Sequence, residues 1–215
     1  MENVTIIYYT SNMEDEIFEK KMRDNILKQS NGMSIISVSR KPIDFGKNIC
    51  IGEQPVCYSN LWKQLLIGLK EAKTEFCIAA ESDCLYPPEY FTFEPSVKDK
   101  VYHYDNVWVF WKNKNRFWKK PRMEGAQICG REYWIERLEK VLDGDTSWET
   151  MDNPNKIVRK IFKDYEKWSG TNPVLTFKTD KGISDKTSLC RTVRPVIKIP
   201  YWGTTLSIRE NYFNE

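Results

Sequence analysis

A chain of 215 residues with 40% hydrophobic and 29% charged residues has the composition of a globular protein and enough length for one substantial core. Every apolar run falls short of the ~20 residues of a membrane helix, and the start lacks a basic region followed by a long apolar stretch, so the chain is expected to be cytoplasmic and to contact no membrane. The net charge of +3 conceals an asymmetry: residues 1–107 carry 12 Lys and Arg against 16 Asp and Glu, a net of −4, whereas residues 108–215 carry 21 against 14, a net of +7.

The six cysteines form no C-x-x-C pair, several lie inside apolar runs, and there is one histidine. That spacing fits thiols packed in a reducing compartment and argues against structural zinc.

In chain order the pattern alternates as in α/β proteins. Val4 to Tyr9 is an apolar, β-branched strand, and Thr10-Ser11-Asn12 offers caps for a helix from about Glu14 to Gln29 with Ile17, Phe18, Met22, Ile26 and Leu27 on its apolar face. Asn31-Gly32 ends that helix, Ser34 to Val38 predicts a second strand, and residues 39–47 predict a loop. A second helix from about Tyr58 to Lys73 turns Leu61, Leu65, Leu66 and Leu69 inward. Two strand-helix-strand passages before residue 84 predict a mainly parallel sheet with right-handed crossovers.

The next strand is the most informative. Phe76-Cys-Ile-Ala-Ala runs apolar and stops at Glu81-Ser82-Asp83, after which Tyr86-Pro87-Pro88 fixes the exit of the chain. Ligands of open α/β sheets bind outside the carboxyl ends of the strands, so two acids placed there suit a divalent cation or a sugar. Further on, Val101 to Tyr104 and Val107 to Trp111, joined by Asp105-Asn106, predict a hairpin. Residues 130–142 and 153–168 predict helices, and Val174 to Phe177 and Val193 to Ile199 predict late strands. The whole is expected to be a single α/β domain.

The strand end Tyr8-Tyr9-Thr10-Ser11-Asn12, the loop Gly46-Lys47-Asn48-Ile49, the helix end Gly68-Leu69-x-x-Ala72-Lys73-Thr74 and Glu81-x-Asp83-x-Leu85-Tyr86-Pro87-Pro88-x-Tyr90-Phe91 together resemble the GT-A fold, family-2-like nucleotide-sugar glycosyltransferases. Among them, the match is similar to compact bacteriophage enzymes that add sugars to hydroxymethylated DNA bases; it is best over residues 4–91 and fades past 142. The resemblance implies a GT-A-like domain whose residues 1–100 bind the nucleotide sugar and whose residues 101–215 face the acceptor. It implies Mn or Mg held by Asp83 and Glu81, and donor contacts from Tyr9, Thr10, Ser11, Lys47, Glu81 and Lys181. The last of these lies in a polar loop, residues 178–188, where Lys181 or Lys186 can neutralise a diphosphate. Many relatives add a late histidine to the metal set; here the one histidine, His103, falls in the expected hairpin and is read as a structural or acceptor-side residue and not as a ligand.

An inverting transfer needs a carboxylate to take the proton from the attacking hydroxyl, and Glu149 is the favoured candidate, followed by Glu124 and Asp145, with Asp143 and Asp152 behind them. A retaining transfer needs no such base, and the sequence leaves both open. Residues 111–122 hold six cations, three aromatics and no acid, with Trp111, Lys112, Arg116, Trp118 and Lys119 as candidate acceptor contacts. The same run equally suits a solvated hairpin with its rings turned inward. The expected activity is transfer of a sugar from a nucleotide diphosphate to a soluble acceptor, first a hydroxymethylated pyrimidine in DNA and otherwise a saccharide or a protein. A non-catalytic nucleic-acid-binding module and a metal-dependent nucleotidyltransferase are the other classes the acids and cations fit.

Overall fold

The computed structural model describes residues 3–142, 165–182 and 189–213. Strand β1 (Val4–Thr10) is followed by α1 (Glu16–Gln29), β2 (Ser34–Ser39), β3 (Lys47–Cys50), α2 (Tyr58–Glu71) and β4 (Phe76–Glu81). These strands pair in parallel as β3-β2-β1-β4, and β9 (Gln127–Gly130), β6 (Val101–Tyr104) and β10 (Tyr165–Trp168) extend the sheet to seven strands, of which only β9 runs against its neighbours. A second sheet of four strands, mostly antiparallel, has the order β5 (Cys84–Leu85), β11 (Val174–Lys178), β7 (Val107–Trp111), β8 (Arg116–Lys119). The mainly parallel sheet with flanking helices and a small antiparallel region is the fold class the sequence implies.

Every residue of β1 is buried, as a central parallel strand covered on both faces must be. Its alternate side chains feed two cores. Val4, Ile6 and Tyr8 pack with Ile26 of α1, while Ile7 and Tyr9 pack with Leu65 and Leu69 of α2 and with Trp134 and Leu138 of α3 (Arg131–Leu142). The two crossover helices therefore lie on opposite faces, and strand order reverses between β1 and β4. In open α/β sheets that switch point opens a crevice at the carboxyl ends of the two strands.

Several local expectations need correction. The cap of α1 is Asp15, whose carboxylate accepts the N–H groups of Ile17 at 2.9 Å and Phe18 at 3.3 Å, and not the Thr10-Ser11-Asn12 group. On α1, Phe18, Met22 and Ile26 are buried but Ile17 and Leu27 face outward, 59% and 54% exposed. The segment around Lys47 is an edge strand and not a loop. β6 and β7 do not form a hairpin with each other: β6 pairs with β9 and β10, while β7 pairs with β8 and β11. Residues 165–168, expected at the end of a helix, form β10, and of the late strand expected over 193–199 only Lys198–Ile199, here β12, pairs regularly, with β13 (Gly203–Thr204). The C-terminal helix α4 (Thr205–Phe213) closes the second sheet, stacking Phe213 on Phe18 of α1.

Candidate functional site

Glu81 closes β4, and after two intervening residues Cys84 opens β5 in the other sheet. The Asp83 carbonyl accepts the N–H of Phe177 on β11 at 2.9 Å, so the short acidic turn ties the two sheets together. A cleft of about 810 Å³ opens there, lined by the ends of β1 and β4, by Lys178 at the end of β11 with Lys181 and Gly182 beyond it, and by residues 120–124 following β8.

The acids are held in place by specific partners. The Tyr9 phenol donates to Glu81 Oε1 at 2.9 Å, and the Cys84 thiol donates to Asp83 Oδ1 at 3.1 Å. Burial pushes the Glu81 carboxyl well above the usual carboxylate range, the neighbouring Asp83 charge pushes it further, and the Tyr9 bond works the other way. Burial also raises Asp83, against the Cys84 bond and the Lys120 charge. Burial and the two acids keep the Cys84 thiol protonated, which makes it a donor.

Carboxylate oxygens of Glu81 and Asp83 and the sulfur of Cys84 all lie within 4.8 Å of one another. Two converging carboxylates suit a hard divalent cation such as Mg or Mn, and a protonated thiol bound to one of them acts as its support. The donor set therefore fits the divalent ion implied by the resemblance, with Asp83 and Glu81 as ligands. Each acid is costly to ionise where it stands, and a cation between them offsets that cost.

Of the residues expected to bind a donor, Tyr9, Thr10, Ser11, Glu81 and Lys181 all line the cleft. The Thr10 hydroxyl is engaged on both sides, donating to Glu19 at 3.0 Å and accepting the N–H of Asn12 at 2.8 Å. Lys47 stands elsewhere: it is exposed on β3 and pairs with Glu71 of α2. Glu124 lines the cleft beside Arg122, 3.4 Å away; Asp143, Asp145, Glu149 and Asp152 lie outside the described residues, as does Lys186. His103 is buried on β6 against Tyr165, its Nδ1 3.3 Å from the Met123 carbonyl, and burial holds its pKa down to about 3, as a structural residue.

The basic run proves to be the β7–β8 hairpin and its exit. Among the described residues its expected acceptor contacts, Trp111, Lys112, Arg116, Trp118 and Lys119, do not line the cleft, whereas Lys120 and Arg122 do. Lys114 sits 4.1 Å over the Trp111 ring and 5.9 Å from the centroid of Trp118. Lys119 donates to Asn106 at 3.0 Å, and Phe117 is buried, so part of the run does pack inward.

Sequence reasoning missed Glu14, Arg40 and Lys178, which also line the cleft. Glu14 accepts a hydrogen bond from the Thr179 hydroxyl, and burial raises its pKa. Glu14 and Arg40 sit in the connections after β1 and β2 and Lys178 is the last residue of β11, where the only signal is position at a strand's carboxyl end.

No protein-family model and no curated protein sequence matches the chain. Solved structures do resemble it. A Staphylococcus aureus TarS fragment, residues 1–349 in complex with UDP-GlcNAc, superposes with a TM-score of 0.51 at 12% identity, covering 83% of this chain and 59% of the fragment. The mannosyltransferase PcManGT of Pyrobaculum calidifontis, in complex with GDP-Man and Mn2+, gives 0.49 at 14% identity, covering 84% and 58%. A glycosyltransferase involved in glycosylating the major capsid of PBCV-1 gives 0.48 at 13%, covering 79% and 82%. The superposition on the TarS fragment supports the GT-A-like fold class, and this chain spans about three fifths of that fragment's length. No described helix is long and apolar enough to cross a membrane.

Proposed function

We propose that the protein is a divalent-metal-dependent glycosyltransferase that moves a sugar from a nucleotide diphosphate to an acceptor hydroxyl. One observation carries this: Glu81 and Asp83 converge on the floor of a cleft at the switch point of a GT-A-like sheet, with cations around them. The fold shared with a UDP-GlcNAc-bound protein supports a nucleotide-sugar donor.

In this scheme Asp83 and Glu81 hold Mn or Mg, and the bound ion supplies positive charge to the departing diphosphate. Tyr9 keeps the Glu81 carboxylate turned into the cleft. Lys120, Lys178 and Lys181 offer point charges to the phosphate oxygens. The ends of β1 and β2 and the loop before α2, including Ser11, Gln54 and Tyr58, give a part-polar, part-apolar chamber for the nucleoside. Among the described residues Glu124 is the carboxylate assigned to take the proton of the acceptor hydroxyl in an inverting transfer; Asp145 and Glu149 remain alternatives.

For the acceptor we propose a hydroxymethylated pyrimidine base in DNA, on the strength of the cationic, tryptophan-rich hairpin that leads directly into Lys120 and Arg122 at the cleft. A duplex base must leave its stack to react, and the cleft of about 810 Å³ offers a recess beside the acids. The chain, Mn2+ or Mg2+ and a panel of nucleotide sugars are incubated with hydroxymethylated and unmodified DNA, and the products are read by nucleoside mass spectrometry. A hexose or pentose increment on the modified base alone is the expected result. Transfer to a saccharide or protein instead corrects the acceptor. No turnover of any donor, with or without metal, overturns the enzyme assignment.

A further inference from the structure

Glu81 is gripped by a part of the molecule far from it in sequence. Its backbone N–H donates to the Tyr86 phenol oxygen at 2.9 Å, and the same phenol donates onward to the Gly125 carbonyl at 2.8 Å. Tyr86 is fully buried, its ring 4.6 Å from that of Tyr90, and its own N–H donates to Asn25 of α1 at 2.8 Å. A methyl group at Gly125 would overlap both Cδ and Oε2 of Glu81, so the bare α-carbon forms one wall of the carboxylate's seat. Tyr9 closes the other side at Oε1.

We infer that Tyr86 and Gly125 are positioning residues for the Glu81 carboxylate, one phenol oxygen latching the strand end that bears the acids to the connection that brings Lys120, Arg122 and Glu124 to the same cleft. The inference rests on the metal-dependent transfer proposed above and names the device that aligns its two walls. A phenol bridging an N–H and a carbonyl has its oxygen fixed in two directions at once, so the backbone at Glu81, from which the carboxylate projects, cannot shift relative to Gly125 without breaking one of the bonds. A side chain at position 125 would push the carboxylate off the point where it meets Asp83. Supports of this kind, one shell behind the ligands, typically change metal affinity by about 10–100-fold when removed.

Tyr90 supplies the matched control. It too is fully buried, and it bridges β4 to the start of β9, donating to the Ala79 carbonyl at 2.7 Å with the Gln127 carbonyl at 3.3 Å. Removing its oxygen costs a buried bond while leaving the seat of Glu81 intact.

The test titrates Mn2+ into the full chain, alone and with UDP, by the loss of the free-ion paramagnetic resonance signal, alongside thermal unfolding without metal. Expected are a dissociation constant for Mn2+ raised about tenfold or more in Tyr86→Phe and Gly125→Ala, and one within about twofold of the parent in Tyr90→Phe despite a comparable fall in melting temperature. Should Gly125→Ala fail to fold, Tyr86→Phe, which loses only one oxygen, decides alone. Parent-like Mn2+ affinity in Tyr86→Phe, or equal weakening in Tyr90→Phe, overturns the latch and leaves the proposed reaction standing. If the parent chain itself binds no Mn2+ under either condition, the metal-dependent reaction falls, and the latch falls with it.

Discussion

Asp83 and Glu124 are both acids in one cleft, yet their surroundings assign them different work. Asp83 sits in the turn between the sheets, receives a thiol hydrogen bond and lies close to Glu81; Glu124 lies beside Arg122 on the connection after β8. If Asp83 holds the metal and Glu124 takes a proton, their amide variants separate. Asp83→Asn is expected to lower turnover by about 10²-fold or more and to weaken Mn2+ binding. Glu124→Gln is expected to lower turnover by about 10²–10⁴-fold while leaving Mn2+ affinity near that of the parent. Steady-state rates paired with a Mn2+ titration distinguish them, and weakened Mn2+ binding in Glu124→Gln would move that residue into the metal site.

A third acid, Glu19, concerns stability. Burial raises its pKa from 4.5 to about 7, against hydrogen bonding from Thr10 and the charge of Arg23, 3.5 Å away, with Glu16 and Glu14 adding to the rise. The folded state therefore keeps a proton that the unfolded chain releases between about pH 4.5 and 7. Since the native state binds more protons in that window, its stability falls as pH rises through it, and the full contribution is present only below about pH 4.5. Glu19→Gln, a mimic of the protonated form, should gain on the parent by on the order of 3 kcal/mol between pH 4 and pH 8. Urea unfolding at several pH values measures this; parallel pH profiles for the two proteins would refute it.

At the scale of elements, the close seat of α2 on β1 is a strong local constraint. Gly68 lies where a methyl group would overlap Ile7 Cγ2, next to Val38 of β2. Helix propensity favours Ala over Gly by about 1 kcal/mol, but overpacking of a core costs about 1–3 kcal/mol. Gly68→Ala should therefore lower stability by about 1–2 kcal/mol on denaturant unfolding, and a gain in stability would mean that α2 sits further from the sheet than described.

The elements legible in the sequence are those whose signal is local. The apolar, β-branched run of β1, both crossover helices and the strand that stops at Glu81-Ser82-Asp83 with a proline-fixed exit each declare themselves within about a dozen residues. The false hairpin shows the opposite case. Asp105-Asn106 between two apolar runs has the form of a tight turn, yet β6 and β7 part into different sheets. What separates them lies about 60 positions downstream: the Asp105 N–H donates to the Trp168 carbonyl at 3.0 Å, and the Asn106 amide donates to the carbonyls of Gly170 and Thr171, each at 3.1 Å. A pairing partner so distant leaves no trace in a short window, which is also why β10 was expected as the tail of a helix. The site divides the same way, since the acid pair is written in one strand end while Glu14, Arg40 and Lys178 reach the cleft through tertiary topology alone.

At the scale of the whole molecule, charge in the cleft links metal to donor. Its described lining holds five cations, Arg40, Lys120, Arg122, Lys178 and Lys181, against four acids, Glu14, Glu81, Asp83 and Glu124, a formal excess of one positive charge. Burial reduces the effective charge of the acids, but they still oppose a diphosphate, which carries at least two negative charges. A divalent ion between Glu81 and Asp83 raises the formal excess to about three, enough to balance the diphosphate in a partly desolvated site. Metal and nucleotide should thus bind with positive coupling, and such coupling is reciprocal by thermodynamic necessity. If Mn2+ raises the affinity for UDP by some factor, UDP must raise the affinity for Mn2+ by the same factor, and we expect about 10–100-fold, or roughly 1–3 kcal/mol. UMP, lacking the second phosphate, should show less coupling, and added salt should weaken UDP binding most when metal is absent and the cleft's lysines carry it alone. Calorimetric titrations of each ligand in the presence and absence of the other close the cycle. Equal affinities for UDP with and without Mn2+ would show that the acids hold their charge for some task other than a metal-bridged diphosphate.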